Sequence, residues 1–570
     1  MTKDMHVSNP IIDEVNLRED YSHYLKQTKN DYLLKYPTVY VMYHENNKGT
    51  YDVYVGETND IIRRTDEHLK DDKKDFHIYD SMYVIGHEHF NKSLTLDIEN
   101  QMMGYVMSAT NVTKLHNGRT NPQYDYFPVK EFENIFSKVW KKLRIRNEKL
   151  FPLESAIQDN AIFKASPYKK LSKEQNDDKN EIINHLKTAL TNQNQDHQLI
   201  IVEGEAGTGK TILLSNLFAT IAGDKKDFND LNIYMLVNHN EQEKVYASIA
   251  KKLGIEKKDS QRVMKPTTFL NTMNKNHIEP DIVLVDEAHL LLTQYNQAYT
   301  SKNGTGRQID DIVNKAKVTV AVFDKQQFLK TEQVMNQDKF NELIKEAKEK
   351  NNYISLNHQF RMAADEKTIN WIKDLVYRKI INNIPNSDKY DLKIFDNPQK
   401  MYQEIEQKNQ EQDNGASRIV ATYDWKYSTT KKKDHTLYDV TVGDDFKMPW
   451  NNQILHNKKV SWLENEDSIN EVGSTYTVQG FDLNYVGVII GPSVKYRNGH
   501  VIYDKDASAN TYAIKRRTMK DGSKQYVYDQ LLPNELNVLL TRGVNGLYIY
   551  AVDKELRDAL LKAQAGMLTE

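Results

Sequence analysis

Two stretches of this chain hold residues whose types and spacing suit phosphate chemistry, and the more distinctive is Gly204-Glu205-Ala206-Gly207-Thr208-Gly209-Lys210-Thr211. It follows the apolar run Leu199-Ile200-Ile201-Val202 and leads into Ile212-Leu213-Leu214, so strand, glycine loop and helix come in the order of a phosphate cradle. Gly204, Gly207 and Gly209 let backbone N–H groups turn inward onto phosphate oxygens, and the helix N-terminus adds partial positive charge. Lys210 is expected to reach the β and γ phosphates of ATP, and the Thr211 hydroxyl to hold Mg²⁺. Further on, the apolar run Asp281-Ile282-Val283-Leu284-Val285 reads as a buried parallel strand that delivers Asp286 and Glu287 to its carboxyl end, where such sheets bind ligands. Asp286 is the expected second Mg²⁺ contact, and Glu287 the group that orients or deprotonates an attacking water.

The other stretch lies near the start. Thr38-Val39-Tyr40-Val41-Met42-Tyr43 and Tyr51-Asp52-Val53-Tyr54-Val55-Gly56 are β-branched and aromatic and flank Asn46-Asn47-Lys48-Gly49, which predicts a β-hairpin. Thr58, Asn59 or Asp60 can cap a following helix that sets Arg64 and His68 four apart on one face. A second helix, about 94 to 108, places Ile98, Met102 and Tyr105 on an apolar stripe with Glu99 beside it. Residues 11 to 36 read as a mostly polar helical lead-in. His87-Glu88-His89 reads as a solvated strand edge rather than a metal site. In Lys138-Val139-Trp140-Lys141-Lys142-Leu143-Arg144-Ile145-Arg146 the aliphatics face inward from a solvated linker helix.

These N-terminal residues resemble the GIY-YIG nuclease family over about the first 120 positions. The paired motifs stand as Thr38-Val39-Tyr40 and Tyr54-Val55-Gly56, with threonine in place of the first glycine. The resemblance implies one divalent metal, Mg²⁺ or Mn²⁺, on Glu99. It also implies that Arg64 stabilises the phosphoryl transition state while Tyr40, Tyr54 and His68 position or deprotonate the water. The family's late asparagine is taken as Asn117, with Asn111 and Asn121 as alternatives. Phosphodiester hydrolysis needs these parts: a Lewis acid, a cation for developing charge, and a proton acceptor.

After the phosphate loop, the pieces in order are similar to a superfamily 1 helicase core. Leu171-Ser172-Lys173-Glu174-Gln175 resembles the motif that reads adenine through its glutamine, Gln175. The strand ending Phe323-Asp324-Lys325-Gln326-Gln327 resembles the one that senses the γ phosphate through Gln327. Leu356-Asn357-His358-Gln359-Phe360-Arg361 is expected to bring a first arginine finger, Arg361, and Leu540-Thr541-Arg542-Gly543 a second, Arg542. Thr475, Thr477, Gln479 and Gly480 match the motif that couples ATP state to nucleic-acid grip. The wording around Gly473 to Leu483 and around Arg542 resembles bacterial Schlafen-like DNA/RNA helicase domains from about 180 to 555. Trp425, Trp450 and Trp462 are read as core, and Lys431-Lys432-Lys433 and Lys515-Arg516-Arg517 as solvated loops.

To position these groups, 570 residues exceed what one core serves, and three or four domains are expected. The expected fold is α/β: a small mixed α/β GIY-YIG domain, 1–150, a linker, 151–168, and two RecA-like doubly wound parallel-sheet lobes, 169–352 and 353–570. Hydrophobic content of 39% and charged content of 28% describe a soluble globular chain, and no apolar run is long enough to span a membrane. Zero cysteines exclude disulfides and thiolate chemistry and suit the cytoplasm. With a net charge of −3, nucleic-acid binding has to come from local basic patches. The expected partner is nucleic acid, DNA ahead of RNA, with an oligomer or a partner protein left open. Together these readings point to an ATP-dependent translocase coupled to a metal-dependent nuclease, in defence or repair. The alternative is an ATP-gated sensor or RNA remodeller with an inactive nuclease fold.

Overall fold

The structure is a computed structural model that describes residues 8 to 568 apart from 71–75, 117–125, 192–196, 206, 225, 257–260, 294–304, 325–327, 332–336, 357–360, 412–415, 429–436, 445, 455–461, 464, 479–481 and 519–522. Asn117, Gln327 and Gly480 therefore lie outside the described residues. The chain forms two compact units, one of Met1–Asp196, Thr211–Lys265 and Ile278–Leu284, the other of His197–Lys210, Pro266–His277 and Val285–Glu570. No helix among the described residues is long and apolar enough to cross a membrane.

The first unit begins with strands β1 (Ile11–Asn16), β2 (Thr38–Glu45), β3 (Tyr51–Thr58), β4 (Ser81–Gly86) and β5 (Val112–Leu115), in the order β1-β4-β2-β3-β5. β2 lies at the centre, antiparallel to both β3 and β4. Alternation sorts its side chains onto two cores. Val39, Val41 and Tyr43 pack with Val53, Val55 and the apolar stripe of helix Lys92–Ser108, while Tyr40 and Met42 pack with Ile61 and Phe76 on the opposite face. The predicted hairpin is present, closed by Gly49 at φ 69° whose N–H donates to the Asn46 carbonyl at 2.8 Å.

The lead-in differs from its expected helix. Residues 11 to 16 form strand β1, antiparallel to β4, followed by helices Tyr21–Gln27 and Asp31–Leu34. Ile12 faces one core and Ile11 and Val15 the other, so pairing with β4 and two-sided burial outweigh the polar Asp13, Glu14 and Asn16. The basic helix Phe132–Arg146 buries Val139, Trp140 and Leu143 as expected, and its Lys142 and Arg146 donate to the carbonyls of Pro10 and Ile12 on either side of the start of β1.

Also in this unit, Lys252 at the end of helix Asn240–Lys252 donates to the carbonyls of Met107 and Ala109 at 2.7 and 3.0 Å. A cation there satisfies the carboxyl end of the helix that carries Glu99. Burial pushes the Lys252 ammonium down to about 8.

Strands β6 (Gln198–Gly204), β7 (Ile233–Val237), β8 (Val263–Met264), β9 (Ile282–Asp286), β10 (Val318–Phe323) and β11 (Tyr353–Leu356) order as β11-β6-β10-β9-β7-β8. β6 pairs in parallel with β10 and β11, and β7 with β8. The second unit adds β12 (Asp391–Ile394), β13 (Arg418–Ala421), β14 (Asp439–Val442), β15 (Phe446–Pro449), β16 (Gly473–Ser474), β17 (Leu483–Ile490), β18 (Val494–Arg497), β19 (His500–Tyr503), β20 (Arg517–Thr518), β21 (Lys524–Gln525) and β22 (Gly543–Ala551). An all-parallel sheet runs β12-β22-β17-β13-β16, and β14–β15, β18–β19 and β20–β21 are separate hairpins. Both sheets are built on parallel strand pairs, in line with the doubly wound α/β architecture expected from the sequence. Trp450 and Trp462 are buried, as expected for core.

Inside this unit, burial pushes Asp424 up to about 6 and Glu535 up to about 7, and Asp424 adds to the Glu535 shift. Both folded values lie above the ordinary ones, so the stability these groups add is full below pH ~4 and is lost as pH rises through about 6 and 7. The melting temperature of Asp424→Asn should therefore fall less than that of the wild type between pH ~5 and ~8. An unchanged fall across that range would show that the pair carries no such penalty.

Candidate active sites

The first site is built from the hairpin, helix Ile61–Lys70 and helix Lys92–Ser108. Tyr40 stands opposite Gly56 in the β2–β3 register, and its ring lies over that glycine. A Cβ on Gly56 would come within 2.4 Å of the Tyr40 Cζ and Oη, so only glycine leaves room for the ring. Tyr40 is buried, and its hydroxyl lies 2.7 Å from His68 Nε2. The Tyr54 and His68 rings meet edge to face at 5.1 Å, and Phe76 packs against both. Burial first, then Tyr54, raises the Tyr40 phenol, while Arg64 pulls both tyrosines the other way.

Glu99 lies in the same field. Burial first, then the carboxylate of Glu57, pushes it up to about 8, against Lys92 and Arg64. Glu57, next to Gly56, pairs with Lys92, and Thr95 Oγ1 lies 3.5 Å from its other oxygen. Tyr168 is buried, and its phenol is raised by burial and then by Glu99, so residues after the basic helix also reach this carboxyl. The set suits a divalent cation, because two carboxylates that repel each other in a desolvated place gain by sharing a positive charge. No group of three or more His, Asp or Glu with metal-ligand spacing occurs among the described residues, so water and phosphate oxygens would complete the shell.

Tyr40, Tyr54, Arg64, His68 and Glu99 thus come together. Asn111, half-buried, donates to the Lys149 carbonyl at 3.1 Å. His87 corrects the expected solvated edge: it is buried, 3.0 Å from Ser8 Oγ, while His89 pairs with Glu131. Sequence reading passed over Glu57, Lys92 and Tyr168; only the position of Glu57 directly after the motif glycine marked it. We expect Gly56→Ala to lower stability by about 1–3 kcal/mol in urea unfolding, because the ring has to leave its place. A change under roughly 0.5 kcal/mol would mean that Tyr40 moves aside freely.

The second site lies in the second unit. Gly207 and Gly209 take φ of 85° and 77°, and a Cβ on Gly204 would meet Thr208 Oγ1 at 2.5 Å. Lys210 is buried in its own loop, where its ammonium donates to the Gly204 and Glu205 carbonyls at 2.8 Å and to Asp324 at 3.0 Å. Asp286 is buried at the end of β9 and accepts from the Glu287 N–H at 2.9 Å. Glu287 is left-handed, at φ 50°, a strained setting for a residue with a side chain, and its Oε2 lies 2.8 Å from His289 Nε2. Burial works against its charge, but His289, Lys210 and Arg542 outweigh burial and hold it below the usual carboxylate range.

Arg361 donates through Nε to Asp482 at 2.6 Å, and its Nη1 is buried with no hydrogen-bond partner among the described residues. Arg542 is buried, donates to the Val538 carbonyl at 3.1 Å, and is pushed down to about 9 by burial and then by Arg361. Its charge also feels Asp482, Glu287 and Asp324. Two crowded guanidiniums, an unsatisfied donor and an inward-turned glycine loop fit a polyphosphate. Thr211, at the start of helix Lys210–Gly223, belongs to the first unit, where its carbonyl accepts from the Tyr246 hydroxyl at 3.1 Å. Gln175 sits in the first unit, where its Oε1 accepts from the Ser172 N–H at 3.0 Å while Ser172 Oγ accepts from the Gln175 N–H at 3.1 Å. This is a capping box for helix Lys173–Thr191, which the Ser-x-x-Gln spacing alone would have indicated.

Residues 36–104 match the GIY-YIG catalytic domain, and residues 197–553, more than half of the chain, match the Schlafen group 3 DNA/RNA helicase domain. The chain belongs to the Schlafen group 3 helicase family. This Schlafen helicase domain and the GIY-YIG domain follow one another in the order read from the motifs. An uncharacterized Saccharomyces cerevisiae protein, YPL245W, is 31% identical over 434 residues, 69% of this chain and 90% of the yeast protein. Among solved structures, the PRRSV helicase is 11% identical with a TM-score of 0.26, covering 66% of this chain and 56% of its own. The Pif1 helicase from Candida albicans is 12% identical with a TM-score of 0.26, covering 68% of this chain and 96% of its own.

Proposed function

We propose that this Schlafen-family chain is an ATP-dependent nucleic-acid translocase that feeds a metal-dependent nuclease. Its domains would be the nuclease at 1–150, a linker at 151–168 and helicase lobes at 169–352 and 353–570. The observation that carries the motor is the convergence of Lys210, Asp286, Glu287, Arg361 and Arg542 in one unit.

In this reading the loop at Gly204, Gly207 and Gly209 turns its N–H groups to the phosphates and Lys210 moves from Asp324 to them. Thr211 and Asp286 would hold Mg²⁺, which would supply positive charge to the phosphates. Glu287, kept ionised, orients and deprotonates the water, and Arg361 and Arg542 stabilise charge on the transferring group. Gln175, Gln327 and Gly480 retain their proposed nucleotide and coupling roles. At the nuclease site Glu99 would hold Mg²⁺ or Mn²⁺, which supplies a Lewis acid. Arg64 balances phosphoryl charge, and His68, paired with Tyr40, takes the proton of a water aligned by Tyr54. Asn117 keeps its proposed supporting role.

DNA is the proposed substrate, with RNA the alternative. The pairing of a motor with a cutter supports work in defence or repair in the cytoplasm. The relative from yeast means that a bacterial setting is not required. The test is ATP hydrolysis by the purified chain with and without single-stranded DNA or RNA. Stimulation by either supports a translocase, and indifference to both contradicts it.

A further inference from the structure

Outside both sites, two tyrosines of the second unit stand out. Tyr512 and Tyr526 are 50% and 41% exposed, on either side of hairpin β20–β21 along the chain. Each ring has two cations beside it. The Lys330 and Lys515 ammonium groups lie 5.1 and 5.6 Å from the Tyr512 centroid, and the Arg516 guanidinium and Lys505 ammonium 4.9 and 5.1 Å from that of Tyr526. A buried cation–π pair would be ordinary reinforcement of a core; here the rings remain half in solvent. Exposed rings with cations alongside are what unpaired bases and their phosphates require, one for stacking and the other for charge. A duplex, whose bases are already stacked, would use only the charges.

The surface is also tied to the motor. The Thr331 N–H donates to the Tyr512 carbonyl at 3.0 Å, and the connection that holds Lys330 and Thr331 starts at Asp324, the partner of Lys210. Tyr476, in helix Thr475–Val478 of the predicted coupling motif, lies 6.3 Å from the Tyr512 ring and under Lys330 at 5.8 Å, with its hydroxyl donating to Asn510 at 3.1 Å.

We propose that Tyr512 and Tyr526, with Lys330, Lys505, Lys515 and Arg516, form a platform that holds single-stranded nucleic acid. Bases stack on the two rings while the cations swing a few ångströms toward the phosphates. The proposal rests on the translocase reading, and names where the strand is gripped.

The test is fluorescence anisotropy with the full chain and labelled single-stranded DNA, single-stranded RNA and duplex, over a range of salt. Tyr512→Ala and Tyr526→Ala should each weaken single-strand binding about ten-fold, and the double variant about a hundred-fold. Tyr512→Phe and Tyr526→Phe should bind like the wild type, and ATP hydrolysis without nucleic acid should not change. Arg516→Ala should reduce the slope of log affinity against log salt by about 0.7, the share of one phosphate. Losses on either the DNA or the RNA arm support the platform and show which strand it takes. Wild-type affinity in the double variant, or equal losses with phenylalanine and alanine, would overturn it. So would labelled polyglutamate binding as tightly as the oligonucleotides with no loss in the tyrosine variants, which would assign the surface to an acidic partner. If the wild type binds no nucleic acid, the translocase reading falls as well; if only the variants fail to differ, the platform alone falls.

Discussion

ATP hydrolysis by Arg542→Ala is expected to fall roughly 10³- to 10⁵-fold below the wild type, the range that loss of an arginine finger produces. Arg542 earns this expectation through burial: desolvation and Arg361 push the guanidinium down to about 9, so its charge is poorly compensated until an anion is near. A cation in such surroundings acts far more strongly on a developing phosphoryl charge than one in water. Arg542→Lys should recover only part of the rate, because an ammonium lacks the planar fork. Steady-state phosphate release measures both variants. The melting temperature separates catalysis from the structural bond to the Val538 carbonyl. A drop of less than about ten-fold with an unchanged melting temperature would make Arg542 a structural residue.

The second large effect concerns Glu99→Gln. Cleavage in Mg²⁺ should fall about 10³-fold, because a Lewis acid lost from the phosphoryl oxygen is worth several kcal/mol. Stability should not fall with it. Glu99 is pushed up to about 8 by burial and then by Glu57, so without metal a neutral amide matches the form it takes at pH ~7. Wild type and variant should therefore melt at similar temperatures in chelator, and metal should stabilise only the wild type. Full cleavage by Glu99→Gln would remove Glu99 from the chemistry.

Much of this was legible because it is local. Spacing alone placed the glycine loop before its helix, Asp286 and Glu287 at a strand end, the hairpin around Gly49, and Arg64 and His68 on one helical face. What escaped depends on contacts across long separations. β1 looked polar until β4 paired with it. Glu57 meets Glu99 only because a strand and a helix converge, and Arg361 finds Asp482 across 121 positions. The left-handed backbone of Glu287 is likewise a property of the folded site, since no residue type signals it. The capping role of Gln175 is the reverse case, a local Ser-x-x-Gln spacing that was open to reading from the sequence.

The most direct measurement is cleavage of a labelled fork, with a duplex and two single-stranded arms, by the full chain in Mg²⁺ with and without ATP. The account predicts that ATP accelerates cutting by the wild type, that Arg542→Ala cuts only at the rate seen without ATP, and that Glu99→Gln does not cut. Identical cutting with and without ATP, or by wild type and Arg542→Ala alike, would contradict it.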